Sequence, residues 1–399
     1  MDKRKKTLKG FKKRKSFLVF GKPTIGQEEI DEVVKTLESG WIGTGPRTEK
    51  FEEAFREYTH AEYALAVNSA TAGLHLALKA LGIGPGDEVI TTPLTFCSTV
   101  NVIIHCGATP VFADVDISDW NIDPKEIEKK ITKKTKAIIP VHLHGRPCKM
   151  DEIGEIARKH KLFVVEDAAH AIEAVYHGKE VGNISDLTVF SFYATKNMTT
   201  GEGGMVTTNN KNWAEMIKVL RLHGLSADAF KRYSVKVFKH YQAILPGFKY
   251  NMTDIQAALG IHQQKKLDRH SRIRNRYWQI YNQSFKGIPE LILPAPEDED
   301  TYHARHLYAI LVKPEKLKID RDKFIDKLIK LNIGSGIHFF PVHLHPYYAK
   351  TFGYKRGDYP NAEFVGDRIL SLPLGANLTE KDISDVINSV KYLIKKYRG

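Results

Sequence analysis

The chain has 399 residues, 42% of them hydrophobic and 27% charged, with a formal net charge of +13. That length buries a large core and normally makes two domains; no apolar run reaches the roughly 18 residues of a membrane span, and the basic N-terminus lacks the apolar segment of a signal peptide. Three cysteines, Cys97, Cys106 and Cys148, have neither disulfide nor zinc spacing, and the odd count fits a reducing cytoplasm.

Much of the charge is local. The first fifteen residues, MDKRKKTLKGFKKRK, carry nine Lys or Arg against one Asp. They read as a solvated tail, residues 1–15, too charged to join a core, with a weak electrostatic contact to anionic membrane lipid, or to nucleic acid, as the sharper alternative. The rest carries only a modest excess of positive charge, which argues against a nucleic-acid binder.

From Thr24 the pattern is regular. Glu28 to Leu37 has helical spacing and stops at Ser39-Gly40. Ala64 to Val67 reads as a strand, and Ser69 to Thr71 opens a helix that buries Leu74, Leu78 and Leu81. A helix start with small and hydroxyl residues is a natural anion site, because free N–H groups point outward and the helix dipole favours negative charge. Further strands are expected at Glu88 to Thr91, Pro110 to Asp114, Ala137 to Val141, Leu162 to Val165 and Leu187 to Phe192, with helices such as Pro124 to Ile131 and Ile153 to Lys159 between several of them. Alternation of this kind means a mostly parallel sheet covered by helices on both faces. A helix opens at Thr253-Asp254 and continues through Arg272 to Tyr281. After the linker-like LPAPEDEDTYHARH come a strand, His306 to Val312, and helices at Arg321 to Leu331 and Asp382 to Tyr397. The fold expected is α/β, with a large domain over residues 16–265 and a smaller C-terminal α+β domain over 266–399.

Chemistry concentrates between Lys161 and Gly204. KLFVVEDAAHAIEA is a buried strand ending in Glu166-Asp167, with His170 just beyond; DLTVFSFYATKNMTTGEGG is a second strand with Lys196 one loop further on. In an open α/β sheet, ligands bind outside the carboxyl ends of the strands. An acid and an amine leaving two strand ends can therefore face one crevice. A lysine there can form a Schiff base with a carbonyl such as pyridoxal phosphate, and a carboxylate is then needed to keep the pyridine nitrogen protonated. Two histidine groups, His142 and His144 with Cys148, and His338, His343 and His345, lack the carboxylate or further Cys of a recognised zinc spacing. They are assigned no metal.

EDAAHA followed by SFYATKN-x-x-x-GEGG resembles the DegT/DnrJ/EryC1/StrS aminotransferases, sugar-modifying enzymes with the aspartate aminotransferase fold, and matching motifs run from about residue 20 to 375. The resemblance implies pyridoxal phosphate as cofactor, bound to Lys196, with Asp167 on the ring nitrogen and His170 on the ring oxygen. It implies that Thr71, the backbone at Ala72, and Ser191 hold the phosphate, and that Phe96 stacks on the ring. Asn251 would reach the phosphate of a partner subunit in a homodimer with shared sites, and His338 would lie near the sugar nucleotide. SATAGLH, IIPVHLHG, KNMT and PGFKYNMTDI fit the UDP-4-keto-pentose aminotransferases most closely, and other C4 aminotransferases less tightly. The partners implied are a nucleotide-linked keto-sugar and an amino-acid donor, glutamate by family habit. Two other readings are a deoxysugar dehydratase, whose family carries His where Lys196 stands, and a regulator that keeps the cofactor site without catalysis.

Overall fold

A computed structural model describes residues 11–226 and 242–399. Two helices come first, α1 (Gln27–Glu38) and α2 (Pro46–Thr59). The central sheet then takes β1 (Tyr63–Val67), β2 (Glu88–Thr91), β3 (Thr109–Phe112), β4 (Thr135–Ile139) and β5 (Phe163–Asp167). After a short hairpin of β6 (Val175–Tyr176) and β7 (Lys179–Glu180) it is completed by β8 (Leu187–Ser191) and β9 (Gly204–Thr208). The order across the sheet is β1-β9-β8-β5-β4-β2-β3, and β9 alone runs against its neighbours. These strands are short, β-branched and buried nearly throughout, as strands with both faces covered must be. The covering helices include α3 (Ala70–Ala80), α4 (Cys97–His105), α5 (Pro124–Lys130), α6 (Met150–His160) and α7 (Lys211–Leu220). Among the described residues, no helix is long and apolar enough to cross a membrane.

The expected α/β architecture is present, and each expected strand lies within a few residues of its place. β9 was not expected. Its five residues follow directly on the glycine-rich loop, and only their pairing between β1 and β8 makes them a strand. The long helix expected from Thr253 onward is two: α8 (Asp254–Gln264) and α9 (Leu267–Phe285). At the break, the Lys266 ammonium bonds both carboxylate oxygens of buried Glu29 at 2.7 Å, tying the joint to α1. The polar and aromatic stretch from Tyr233 to Pro246, which reads in the sequence as a surface loop, lies mostly outside the described residues.

Packing of α8 on α2 is close. A Cβ on Gly260 would lie 2.6 Å from the Phe51 ring, so only glycine allows this approach. Asp254, in the first turn of α8, caps α2 by accepting from the amides of Gly45 (2.8 Å), Arg47 (3.0 Å) and Thr48 (2.9 Å). Three of the donors that a helix start leaves open are satisfied from 200 residues away.

The C-terminal part has a three-stranded antiparallel sheet, β10 (Leu291–Ile292), β11 (Tyr308–Val312) and β12 (Ile369–Leu372). Helices α10 (Arg321–Lys330), α11 (Pro346–Phe352), α12 (Pro360–Gly366) and α13 (Glu380–Tyr397) accompany it. One apolar cluster joins Tyr308, Phe324, Ile333, Val386 and Tyr281. Another spans both parts of the chain, with Leu94, Phe112 and Trp120 against Leu311, Val342 and Ile369.

Residues 11–20 pack against the C-terminal part of the chain. Leu18 belongs to the small domain's cluster, and its backbone exchanges hydrogen bonds with Asn332 and Gly334, 2.9 Å each. Residues 1–10 of the expected tail lie outside the described residues, but 11–15 are engaged. Phe11 stacks on Tyr392 at 4.2 Å, and Arg14 bonds Asp382 (2.5 Å) and Asp385 (2.9 Å) at the start of α13. Composition suggested a solvated segment; two acids one helical turn apart form a cradle that is visible only in three dimensions. Arg14→Ala should cost about 1 kcal/mol of stability in urea unfolding, and the loss should vanish in an Asp382→Asn/Asp385→Asn background.

Candidate active site

β5 delivers Asp167 at its carboxyl end, buried at 5% exposure. Its Oδ2 accepts from the Thr99 hydroxyl at 2.8 Å, and its Oδ1 from the Ala169 amide at 3.1 Å. Thr99 in turn accepts from Thr95 at 2.9 Å, since its own proton goes to the carboxylate. Burial pushes the Asp167 carboxyl above the usual range, and the Thr99 bond is the largest influence holding it down, with Lys196 also contributing.

Lys196 sits in the turn after β8. That turn is closed by the Lys196 amide on the Tyr193 carbonyl and the Thr200 amide on the Phe192 carbonyl, both 2.9 Å. Burial brings the Lys196 amine down to about 8, against the pull of Asp167. Both residues line a cavity of about 500 Å³ whose walls also take His306, His338 and Leu374 from the C-terminal part of the chain.

One wall of the cavity is the N-terminus of α3, where Ser69, Ala70 and Thr71 face the space and Thr71 is exposed. Ala72, expected at the anion site, is not on the wall. It is buried, and its amide donates to the capping Ser69 hydroxyl at 3.1 Å. Because Ser69 takes the third helical amide for its cap, the amides open to a ligand are those of Ala70 and Thr71. Ser191, at the end of β8, lines the cavity with them. Gly204 lets the strand pass close beneath: a Cβ there would lie 2.7 Å from the Ala70 nitrogen.

Phe96 immediately precedes α4 and is 57% exposed, its ring bordering the cavity and 6.0 Å from Phe339. His170 is buried, and its Nδ1 accepts from the His144 amide at 3.2 Å, which puts the proton of the neutral ring on Nε2. Burial holds it well below the usual histidine value. His338 comes from the small domain, stacks on Phe20 at 5.6 Å, and bonds the Ser371 hydroxyl at 2.9 Å through Nδ1. Burial brings it down to about 3.

The structure thus brings Thr71, Phe96, Asp167, His170, Ser191, Lys196 and His338 to one cavity. Asn251 is elsewhere. It forms an isolated bridge with Val67, its Nδ2 donates to Thr44 at 2.6 Å, and its buried Oδ1 has no partner. His142 and His144, two apart in sequence, would share a face if the strand ran through them, but the chain leaves the strand before them and turns at Leu143–Gly145. His142 donates through Nε2 to buried Glu166 at 2.8 Å, with its Nδ1 accepting from the Cys148 amide at 3.0 Å, while His144 bonds the His338 carbonyl at 2.7 Å. His343 bonds Glu363 at 3.0 Å.

Sequence reasoning missed Thr99 and His306. Thr99 stands one helical turn after Phe96, a spacing that could have paired it with a strand-end acid. His306 lines the cavity, with its ring 4.5 Å from His170. Its Nδ1 bonds Asn197 Oδ1 at 3.1 Å, and Asn197 is held by Glu173 (2.5 Å) and the Ala304 carbonyl (3.0 Å). Glu173 in turn pairs with Arg274.

The model of the DegT/DnrJ/EryC1/StrS aminotransferase family matches residues 23–391. The uncharacterized protein MJ1066 of Methanocaldococcus jannaschii is 55% identical, covering 96% of this chain and 100% of that one. The spore coat polysaccharide biosynthesis protein SpsC of Bacillus subtilis is 51% identical, covering 96% and 98%. Among solved structures, the putative sugar aminotransferase Spr1654 from Streptococcus pneumoniae in its PMP form superposes with a TM-score of 0.90 at 35% identity, covering 95% of this chain and 99% of that one; a PLP form is also solved.

The lowered lysine makes a prediction of its own. In cofactor-free protein, the Lys196 amine should add to an aldehyde reagent at a rate that rises with pH and levels off above about 8, because only the unprotonated amine is nucleophilic. Surface lysines should keep gaining to about 10.4. Borohydride trapping followed by peptide mass spectrometry reads the two classes separately.

Proposed function

The chain belongs to the DegT/DnrJ/EryC1/StrS aminotransferase family, and from that premise we propose that it moves an amino group, from glutamate, to C4 of a keto-sugar carried on UDP. It is a sugar aminotransferase that uses pyridoxal phosphate. The observation that carries the reading is that Lys196, Asp167 and an exposed Phe96 line one cavity.

The residues present fit the cofactor. The open amides of Ala70 and Thr71, with the Thr71 and Ser191 hydroxyls, suit a phosphate at a helix N-terminus. The exposed face of Phe96 suits an aromatic ring. When bound, the cofactor supplies an aldehyde that bonds an amine and a protonated ring that withdraws electrons from the neighbouring carbon. Lys196 would hold it through its amine and, once freed by the donor, move the proton on and off the substrate carbon; an amine near 8 is suited to both directions. Asp167, oriented by Thr99, would face the ring nitrogen and keep it protonated. His170 would donate its Nε2 proton to the ring oxygen without adding charge. His338 would border the sugar nucleotide. The name of SpsC supports a product destined for a surface polysaccharide, and the absence of a long apolar helix among the described residues suits work in the cytoplasm.

A homodimer with shared sites completes the proposal. Ile30, Val34 and Leu37 make an exposed apolar stripe along α1, continued by Trp41 and Ile42. Such a stripe suits a second copy of the chain. Asn251, bonded to Thr44 in the same region and with one polar atom unpartnered, would serve the partner's phosphate.

Purified protein loaded with cofactor should lose its visible band on adding glutamate, and the aminated form should regain it with UDP-linked 4-keto-sugars; a response only to GDP- or TDP-linked sugars would overturn the UDP assignment. Lys196→Ala should lose the band and at least about 1,000-fold in turnover with unchanged circular dichroism. Heterodimers of Lys196→Ala with Asn251→Ala should recover activity toward half of normal per dimer, because one site is then intact. No recovery in confirmed heterodimers would mean that each site is built within one chain.

A further inference from the structure

His144 stands in the tight turn between β4 and α6 and is 5% exposed. Its φ of +59° lies in the left-handed region, where a Cβ crowds the following carbonyl and glycine has nothing to crowd it. The next residue is a glycine for a steric reason: a Cβ on Gly145 would lie 2.7 Å from the His170 carbonyl oxygen and 3.2 Å from the Arg305 nitrogen. The turn is therefore wedged between the residues that follow β5 and those that precede β11.

From this wedge, three groups of His144 reach three parts of the cavity wall. Its amide donates to His170 Nδ1 at 3.2 Å. Its carbonyl accepts from the amides of His306 (3.0 Å) and Leu307 (3.4 Å). Its ring donates through Nε2 to the His338 carbonyl at 2.7 Å. His170, His306, Leu307 and His338 all line the main cavity, and His144 lies behind them. Burial brings its ring down to about 4, so it is neutral near pH 7, and the bond to a carbonyl places its one proton on Nε2. The two main-chain contacts could be made by glycine without strain. The contact to His338 could not, and a strained residue standing where an unstrained one would serve points to a use for its side chain.

We propose that His144 is a positioning residue for the sugar half of the reaction: its side chain sets the backbone that carries His338, while its main chain sets His170 separately. The inference rests on the keto-sugar reading and deepens it. Removing the side chain leaves the His338 carbonyl without its donor, and that segment must move to find another. The ring of His338 keeps its own bond to the Ser371 hydroxyl, so the wall is displaced rather than lost. The amide on His170 remains. The reaction with glutamate, which depends on the cofactor-holding groups, is then spared, and the reaction with the keto-sugar, which depends on the wall at His338, is not.

The test follows two half-reactions of the cofactor-loaded protein through its visible band: loss with glutamate, and return when the aminated form meets a UDP-linked 4-keto-sugar. His144→Gly, which suits the left-handed backbone, should keep half-saturation by glutamate within about twofold of wild type and raise that of the keto-sugar about 10-fold. His144→Gln, whose terminal amide can donate from the place of Nε2, should bring the keto-sugar back to within about threefold of wild type. His144→Asn tolerates the left-handed region but is too short to reach the carbonyl, and it replaces the glycine variant should that one fail to fold. Calorimetry gives a readout apart from turnover: the UDP-linked 4-amino-sugar should bind cofactor-free His144→Gly about 10-fold more weakly than wild type, and His144→Gln nearly as well. Equal losses with both substrates, unchanged handling of the sugars, or no rescue by Gln overturns the coupling. A wild type that responds to glutamate and to no keto-sugar overturns the sugar reading, and the role of His144 with it.

Discussion

Burial acts on Asp167 and Lys196 in opposite senses, raising the carboxyl and bringing the amine down to about 8. Each charge would be costly alone in a desolvated cavity. They are tolerated because each offsets the other and because Thr99 and the Ala169 amide bond the carboxylate directly. That requirement reaches outward. Thr99 can donate only because α4 starts at Cys97, and the same start leaves Phe96 exposed at the cavity. One helix terminus therefore serves both the acid at the cavity floor and the aromatic face above it.

The histidines around this pair are kept neutral by burial. His144 and His338 are brought down to about 4 and 3, and His170 and His306 lie well below the usual range. They supply directed hydrogen bonds without positive charge, so they do not compete with Lys196 for Asp167. Hydrogen bonds fix which nitrogen carries the proton: Nε2 in His170, because the His144 amide occupies Nδ1, and Nδ1 in His306, because it faces the Asn197 Oδ1 while the Asn197 Nδ2 donates elsewhere. Adjacent rings thus present a donor and an acceptor.

Distant segments are joined through a few residues that each do several jobs. The run from Asn251 to Asp254 bridges β1, contributes Met252 to the core, caps α8 through Thr253, and caps α2 through Asp254. At the other side, residues 18–21 run from the small domain's cluster to the cavity wall, where Phe20 stacks on His338. The cavity is consequently bounded by the N-terminal segment, the strand ends of the large sheet and the C-terminal part of the chain.

The sequence by itself determined the α/β alternation, because buried strands read as short apolar runs and helices as 3.6-residue periods. It also determined the candidate chemistry of Lys196 and Asp167, because each follows such a run and strand ends in a parallel sheet converge on one edge. Those signals are local. Tertiary structure decided whatever depends on pairing or on distant partners. β9 is a strand only by virtue of its neighbours. Arg14 is engaged only because Asp382 and Asp385 stand together, and Ala72 is withdrawn from the anion site by the Ser69 cap. The hydrogen bond from Thr99 to Asp167 and the place of His306 beside Asn197 were decided only once the fold had removed water and brought distant residues into contact, since desolvation and hydrogen-bond geometry are properties of the packed chain.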